Sequence, residues 1–161
     1  MNKKMKIFSV FIILILSFLY GCDLITGNSE GELITQKTVI ANNVEFSLSI
    51  EKNIYSFTDS LRIEFIVKNI DSVTKIFNFN NIQQLGFDLT DNSGNINLGY
   101  PWIVAPALSR LTLEPNKLKE YSITVSFKKF NGNYIGSGKY TLSVYLLNGN
   151  SPKVSLIIKV I

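Results

Sequence analysis

The sequence predicts an all-β fold, two antiparallel sheets packed face to face, built from seven or eight short strands in about 120 residues. Apolar residues recur at every second position over most of the chain beyond residue 43. No stretch of ten or more residues carries a helical period, and clusters of Asn, Asp, Gly, Ser and Pro break the alternation at short intervals. A closed barrel is the other arrangement that this pattern allows.

The chain opens on Lys3, Lys4 and Lys6, then an apolar run from Ile7 to Tyr20, then Gly21 and Cys22. A basic start, an apolar centre and a small residue at the cut form the three-part pattern of a secretory signal. A bilayer crossing needs about 20 apolar residues. The run is shorter and stops at Asp23, so a permanent span is not expected. Setting aside residues 1–21 and their three lysines, the 16 basic residues fall to 13 against 12 acidic ones, a net charge of +1. The basic balance belongs to the leader, and no clustered basic face marks a nucleic-acid partner.

Cys22 is the only cysteine in 161 residues, so no internal disulfide can form. An unpaired cysteine in an exported chain calls for an explanation. Leu19-Tyr20-Gly21-Cys22 resembles the lipobox of bacterial lipoproteins, although Tyr20 is bulkier than the residues usual at that place. A thiolate is the nucleophile that takes a diacylglycerol group, and Gly21 offers little bulk to a peptidase. The resemblance implies a lipoprotein signal peptide over residues 1–21 and lipidation of Cys22 as the first mature residue. It also implies a membrane contact through the N-terminal lipid and a place in the cell envelope, periplasmic or on the outer surface. Two acyl chains, each contributing about 0.8 kcal/mol per buried CH₂, hold a protein stably where one does not. In enteric-type sorting Asp23 would imply retention at the inner membrane; other bacteria do not follow that rule.

Residues 22–37, rich in Gly, Ser, Asn, Thr and Glu and without periodicity, read as a flexible tether of roughly 20 Å. The domain is expected over residues 38–161. Its strands follow from alternation: Val44 to Ile50, Leu61 to Val67, a short piece at Ile76 to Phe79, Leu85 to Leu89, Ile96 to Tyr100, Tyr121 to Phe127, Tyr140 to Leu146 and Val154 to Val160. The turns between them are "NIDS" (69–72), "DNSGN" (91–95), "EPNK" (114–117), "GSG" (136–138) and "NGNSP" (148–152). The last strand has only Lys153 and Lys159 to guard an edge, so it is expected to be paired inside a sheet. Tyr140 opens the penultimate strand, where in immunoglobulin-like sandwiches a tyrosine bonds back to the backbone and pins a corner.

Four pieces, in order, resemble the BsuPI family of bacterial proteinase inhibitors, an immunoglobulin-like domain. "LRIEFIVKNIDS" is similar to its strand and Asn-Xaa-Asp/Ser turn, through Asn69 and Asp71. "LGFDLTDNSGN" is similar to its hairpin, through Phe87, Asp91 and Gly94. "LEPNKLKEYSITVSF" carries the proline turn and strand through Pro115 and Tyr121, and "SGKYTLSVYL" the Gly-Xaa-Tyr strand through Gly138 and Tyr140. The family's tryptophan after the hairpin glycine has no match: Trp102 sits eight residues beyond Gly94, and "YPWIVAPAL" is this chain's own variation. The resemblance implies an immunoglobulin-like antiparallel sandwich and proteinase inhibition, with a protein partner, a protease by family. No inhibitory residue is carried over. The family name refers to an intracellular inhibitor whereas this chain reads as exported, so function need not follow fold.

The chemistry points to binding. With no histidine, the commonest general base near neutral pH, the Ser-His-Asp triad and the usual zinc ligands are gone. Cys22 is committed to lipid. A two-carboxylate glycosidase stays formally open, but the 12 acids are scattered, mostly at polar-face or turn positions. No enzyme activity, cofactor or metal is expected. "DLTDNSG" lacks the ligand pattern of an EF-hand loop and reads as a turn with Gly94 or Asn92 at positive φ. In "LGYPWIVAPAL" (98–108), Tyr100 and Trp102 are either interface anchors or sheet-to-sheet core. In "KKFNGNYIGSG" (128–138), Lys128, Lys129, Phe130 and Tyr134 form a solvated turn or a second contact. The candidate contact residues are therefore Tyr100, Trp102, Phe130 and Tyr134. The reading is a lipid-anchored envelope binding protein, an inhibitor by resemblance. The alternative is a structural or adhesion module that scaffolds an envelope complex or contacts surface glycans.

Overall fold

The computed structural model describes residues 34–101 and 106–161. The expected signal segment, Cys22, the tether up to residue 33 and Trp102 lie outside the described residues. Within them the order is β1 (Gln36–Ala41), β2 (Val44–Ile50), β3 (Ile54–Tyr55), β4 (Ser60–Asn69), β5 (Lys75–Phe79), β6 (Leu85–Asp91), β7 (Ile96–Tyr100), β8 (Ser109–Leu113), β9 (Leu118–Ser126), β10 (Gly138–Leu146) and β11 (Val154–Val160). No helix among the described residues is long and apolar enough to cross a membrane.

One sheet runs β1-β2-β4-β9 and is antiparallel throughout; the other runs β3-β11-β10-β6-β7, with only β3 parallel to its neighbour; β5 and β8 form a separate pair. Alternation decides which face is inward. Phe46, Leu48, Leu61, Ile63, Phe65 and Val67 from the first sheet meet Phe87, Leu89, Leu142, Val144, Leu156 and Ile158 from the second in one buried cluster. The all-β sandwich expected from the sequence is the fold observed. Tyr140 Oη donates to the Gly136 carbonyl at 2.7 Å, which is the corner bond anticipated from its place in "GSGKY". Gly94 takes the positive φ, 81°, that the 91–95 turn requires.

Three strands were not legible. β1 has no buried residue in its QKTVIA run, β3 is two residues long, and β8 follows an apolar stretch that hides its alternation. β1 takes in Gln36 and Lys37, which composition groups with the tether. Its hairpin to β2 turns on Asn42 and Asn43, both left-handed (φ 53° and 59°), the conformation a two-residue type I′ turn needs. Ile96 points outward, 63 % exposed, because a bulge between Leu89 and Thr90 shifts the β6–β7 register. β11 is flanked on both sides, but β3 covers only Lys159 and Val160.

The registers define two ends. At one lie the Asn42–Asn43 turn and the segments 69–74, 114–117 and 147–153. At the other lie the chain entry at Thr35, whose carbonyl accepts from Ile50 N–H at 2.9 Å, and the segments 51–59, 91–95 and 127–137. We call them the asparagine end and the entry end.

Candidate functional site

β9 closes its sheet: β4 pairs with it on one side, and no strand among the described residues pairs with it on the other. β7 closes the opposing sheet. A solvent-open cleft of about 400 Å³ lies at this flank, lined by Ile82, Leu85 and Tyr100 and, from β9, by Lys119, Tyr121 and Ile123. Period two aims Tyr121 and Ile123 inward like Val125. At the sheet margin they find only partial cover and stay half-buried, giving the cleft an apolar floor.

Gln84 orders one wall. Its Oε1 accepts from Tyr121 Oη at 2.9 Å, its Nε2 donates to Ser109 Oγ at 3.4 Å, and Ser109 Oγ donates to the Asn81 carbonyl at 2.7 Å. Burial pushes the Tyr121 phenol up to about 12, so at neutral pH it remains a hydrogen-bond donor. Lys119 Nζ lies 5.6 Å from the centre of the Tyr121 ring, and Tyr100 stacks on Phe87, with centroids 6.2 Å apart and planes 5° from parallel. The lining holds neither carboxylate nor histidine. Among the described residues no cluster of three or more His, Cys, Asp or Glu side chains could hold a metal ion. What the cleft offers is recognition: apolar contact, a few polar groups and the main chain of β9. From Ser122 to Ser126 that edge carries no charge and no proline, the usual guards against strand addition.

The chain matches the BsuPI family, described as intracellular proteinase inhibitor, over residues 48–151. It is a member of the BsuPI family. In this BsuPI domain the matched span begins inside β2, ends in the turn before β11 and contains the whole cleft. No curated protein matches the chain. Among solved structures, the Pseudomonas fluorescens alkylpurine DNA glycosylase AlkC bound to DNA is similar at 10 % identity and TM-score 0.50, over 76 % of this chain and 31 % of that one. A β-glucosidase from Erythrobacter marinus is similar at 12 % identity and TM-score 0.45, over 77 % of this chain and 16 % of that one. The BsuPI domain thus spans less than a third of either protein, and the likeness to the glycosylase, at 10 % identity, speaks to the fold alone.

The candidate contact residues separate. Tyr100 borders the cleft. Phe130 and Tyr134 sit at the entry end, on a hairpin closed by the Lys128–Tyr134 bridge and by Lys129 N–H to the Asn133 carbonyl at 2.7 Å. Phe130 is 97 % exposed. Tyr134 meets Phe57 edge-on at 5.3 Å, and Lys128 Nζ lies 4.9 Å from the centre of the Tyr134 ring. Sequence reasoning missed Phe57, which sits in "YSFTDS" outside any alternating run, and it assigned Tyr121 and Ile123 to strand core. The signal for the cleft was two-dimensional, since it needed the knowledge that β9 ends its sheet.

Proposed function

We propose that this BsuPI-family chain is a lipid-anchored protein of the bacterial cell envelope that binds a protease and inhibits it by binding, without a cofactor. The observation that carries the reading is the outer edge of β9, free of charge and proline from Ser122 to Ser126, beside a cleft with an apolar floor and polar walls. Strand addition at such an edge recognises an extended segment through main-chain hydrogen bonds, and the adjoining pocket sorts its side chains. Family membership supplies the protease as partner class, and "LYGC" with its leader supplies the anchor.

The test uses the full chain against serine, cysteine, aspartic and metallo proteases. Inhibition or a stable complex with at least one class is expected. Ser122→Lys places a guarding charge on the edge and should weaken that complex about tenfold or more, equivalent to about 1.4 kcal/mol, with the melting temperature nearly unchanged. No inhibition and no complex in any class would remove the inhibitor reading. The anchor has its own test: Cys22→Ser should abolish lipid labelling and leave an unprocessed precursor, whereas normal processing and membrane retention would overturn it.

A further inference from the structure

The cleft leaves the entry end unexplained. There the hairpin 128–134 holds Phe130 in solvent on an ordered turn, with Gly132 at φ 83° and its N–H bonded to the Lys129 carbonyl at 2.9 Å. Phe57 and Tyr134, each more than 40 % exposed, pack edge-on against each other at the same end. Lys128 and Lys129 flank the aromatic group and have no acidic partner among the described residues. On the neighbouring strands Lys139 and Lys159 face each other directly across the β10–β11 ladder, also without an acidic partner. Like charges directly opposite in a sheet repel, and a negatively charged surface outside the domain would relieve that repulsion. The described chain enters at this same end, with Thr35 bonded to Ile50. At most about 40 Å of backbone separates Cys22 from Ile34.

We propose that the entry end is a bilayer-contact surface, in which Phe130, Phe57 and Tyr134 enter the headgroup region while Lys128, Lys129, Lys139 and Lys159 engage anionic phospholipid. Aromatic side chains at headgroup level with lysines around them are the chemistry that holds a protein at a membrane interface. Each lysine near an anionic surface contributes roughly fivefold to partitioning, and the contribution fades beyond a Debye length. The inference rests on the lipid-anchor reading for its orientation, and not on the protease reading. Its consequence is a fixed posture: the anchored domain stands on its entry end and turns the asparagine end away from the membrane.

The experiment uses the full chain with vesicles of phosphatidylcholine, with and without phosphatidylglycerol. A polarity-sensitive dye is placed on Asn131→Cys or, at the opposite end, on Asn150→Cys, and nitroxide-labelled lipid is the quencher. With anionic vesicles, quenching at 131 should exceed that at 150 severalfold. The difference should collapse with Phe130→Ser, with the pair Lys128→Glu and Lys129→Glu, or at high salt. Equal quenching at the two positions, or none at 131 in vesicle-bound chain, overturns the proposal; a protein-binding role for this end would give the second result. Sedimentation with neutral vesicles reports the anchor separately. A chain that ignores neutral vesicles yet binds anionic ones with 131 quenched refutes the anchor and upholds the contact surface. Binding to neither refutes both.

Discussion

The two ends of the sandwich solve the same problem, turning strands around, and differ in what they leave facing water. At the asparagine end the turns are wired from within. Asn69 is fully buried: its Nδ2 donates to the carbonyls of Val73 at 2.8 Å and Leu113 at 2.9 Å, and its Oδ1 accepts from Asp71 N–H at 2.9 Å. Asp71 in turn accepts from Asn43 Nδ2 at 3.1 Å and pairs with Lys75 at 2.6 Å. Asn148 Oδ1 gathers Ser151 N–H at 3.1 Å and its hydroxyl at 2.7 Å. The entry end is also pinned, by Tyr140, by Asp91 accepting from Ser93 and Asn95 N–H and from Asn97 Nδ2, and by Asp59 accepting from Ser56 N–H and pairing with Lys52. It adds, turned outward, aromatic rings and lysines without acidic partners among the described residues. Polar groups that close on one another serve the fold; apolar and cationic groups left facing water are free to serve a contact.

That contrast can be broken, and the largest effect is expected at Asn69. Asn69→Ala removes three hydrogen bonds from a fully buried position, among them the buried one to the Leu113 carbonyl, so it should cost about 3 kcal/mol in urea denaturation. A loss below 1 kcal/mol would mean the asparagine end is not held as described. At the entry end Tyr140→Phe removes one bond to the Gly136 carbonyl and should cost about 1 kcal/mol by the same measurement.

Acid sharpens the comparison next. The Lys75 ammonium, with Asn43 and Ser72 N–H, holds the Asp71 carboxyl well below the usual carboxylate range; Lys52 and Ser56 N–H lower Asp59 at the entry end by less. A carboxyl lowered in the folded state stabilises above its unfolded value, about 4, and that contribution is lost as pH falls through its folded value. Melting temperature followed from about pH 5 downward should therefore decline less steeply in Asp71→Asn than in the parent chain, and Asp59→Asn should change the slope less. Equal slopes in all three proteins would contradict the assigned partners.

The smallest stability effect belongs to the most exposed ring. Phe130→Ser should move the melting point hardly at all, within about 0.5 kcal/mol in stability, while it changes vesicle contact. A marked loss of stability would place Phe130 in the fold and take it out of the interface.

Within the described residues, most strands were legible because burial on one face imposes period two, and that pattern is local. Val44 to Ile50 and Tyr140 to Leu146 could hardly be read otherwise. Asn69, Asp71 and Gly94 could be named as turn residues, yet not as partners, since the carbonyls that Asn69 satisfies come from 44 residues away as well as four. Tyr100 was named for its unusual neighbourhood, and the structure sets it on the cleft; Phe130 and Tyr134 were named for theirs, and they lie at the entry end. Phe57 carried no signal, because its meaning lies in the ring it touches.

By itself the sequence determined the class of fold, the face each long strand turns inward and where most turns fall, since these depend on neighbours two to four residues apart. Only the tertiary structure decided that β9 ends its sheet, that Tyr121 and Ile123 therefore line a cleft instead of filling the core, and that Phe57 meets Tyr134. Strand order and register are set by pairings between residues far apart in the chain, and whether an inward-facing side chain is covered depends on what the opposing sheet places above it.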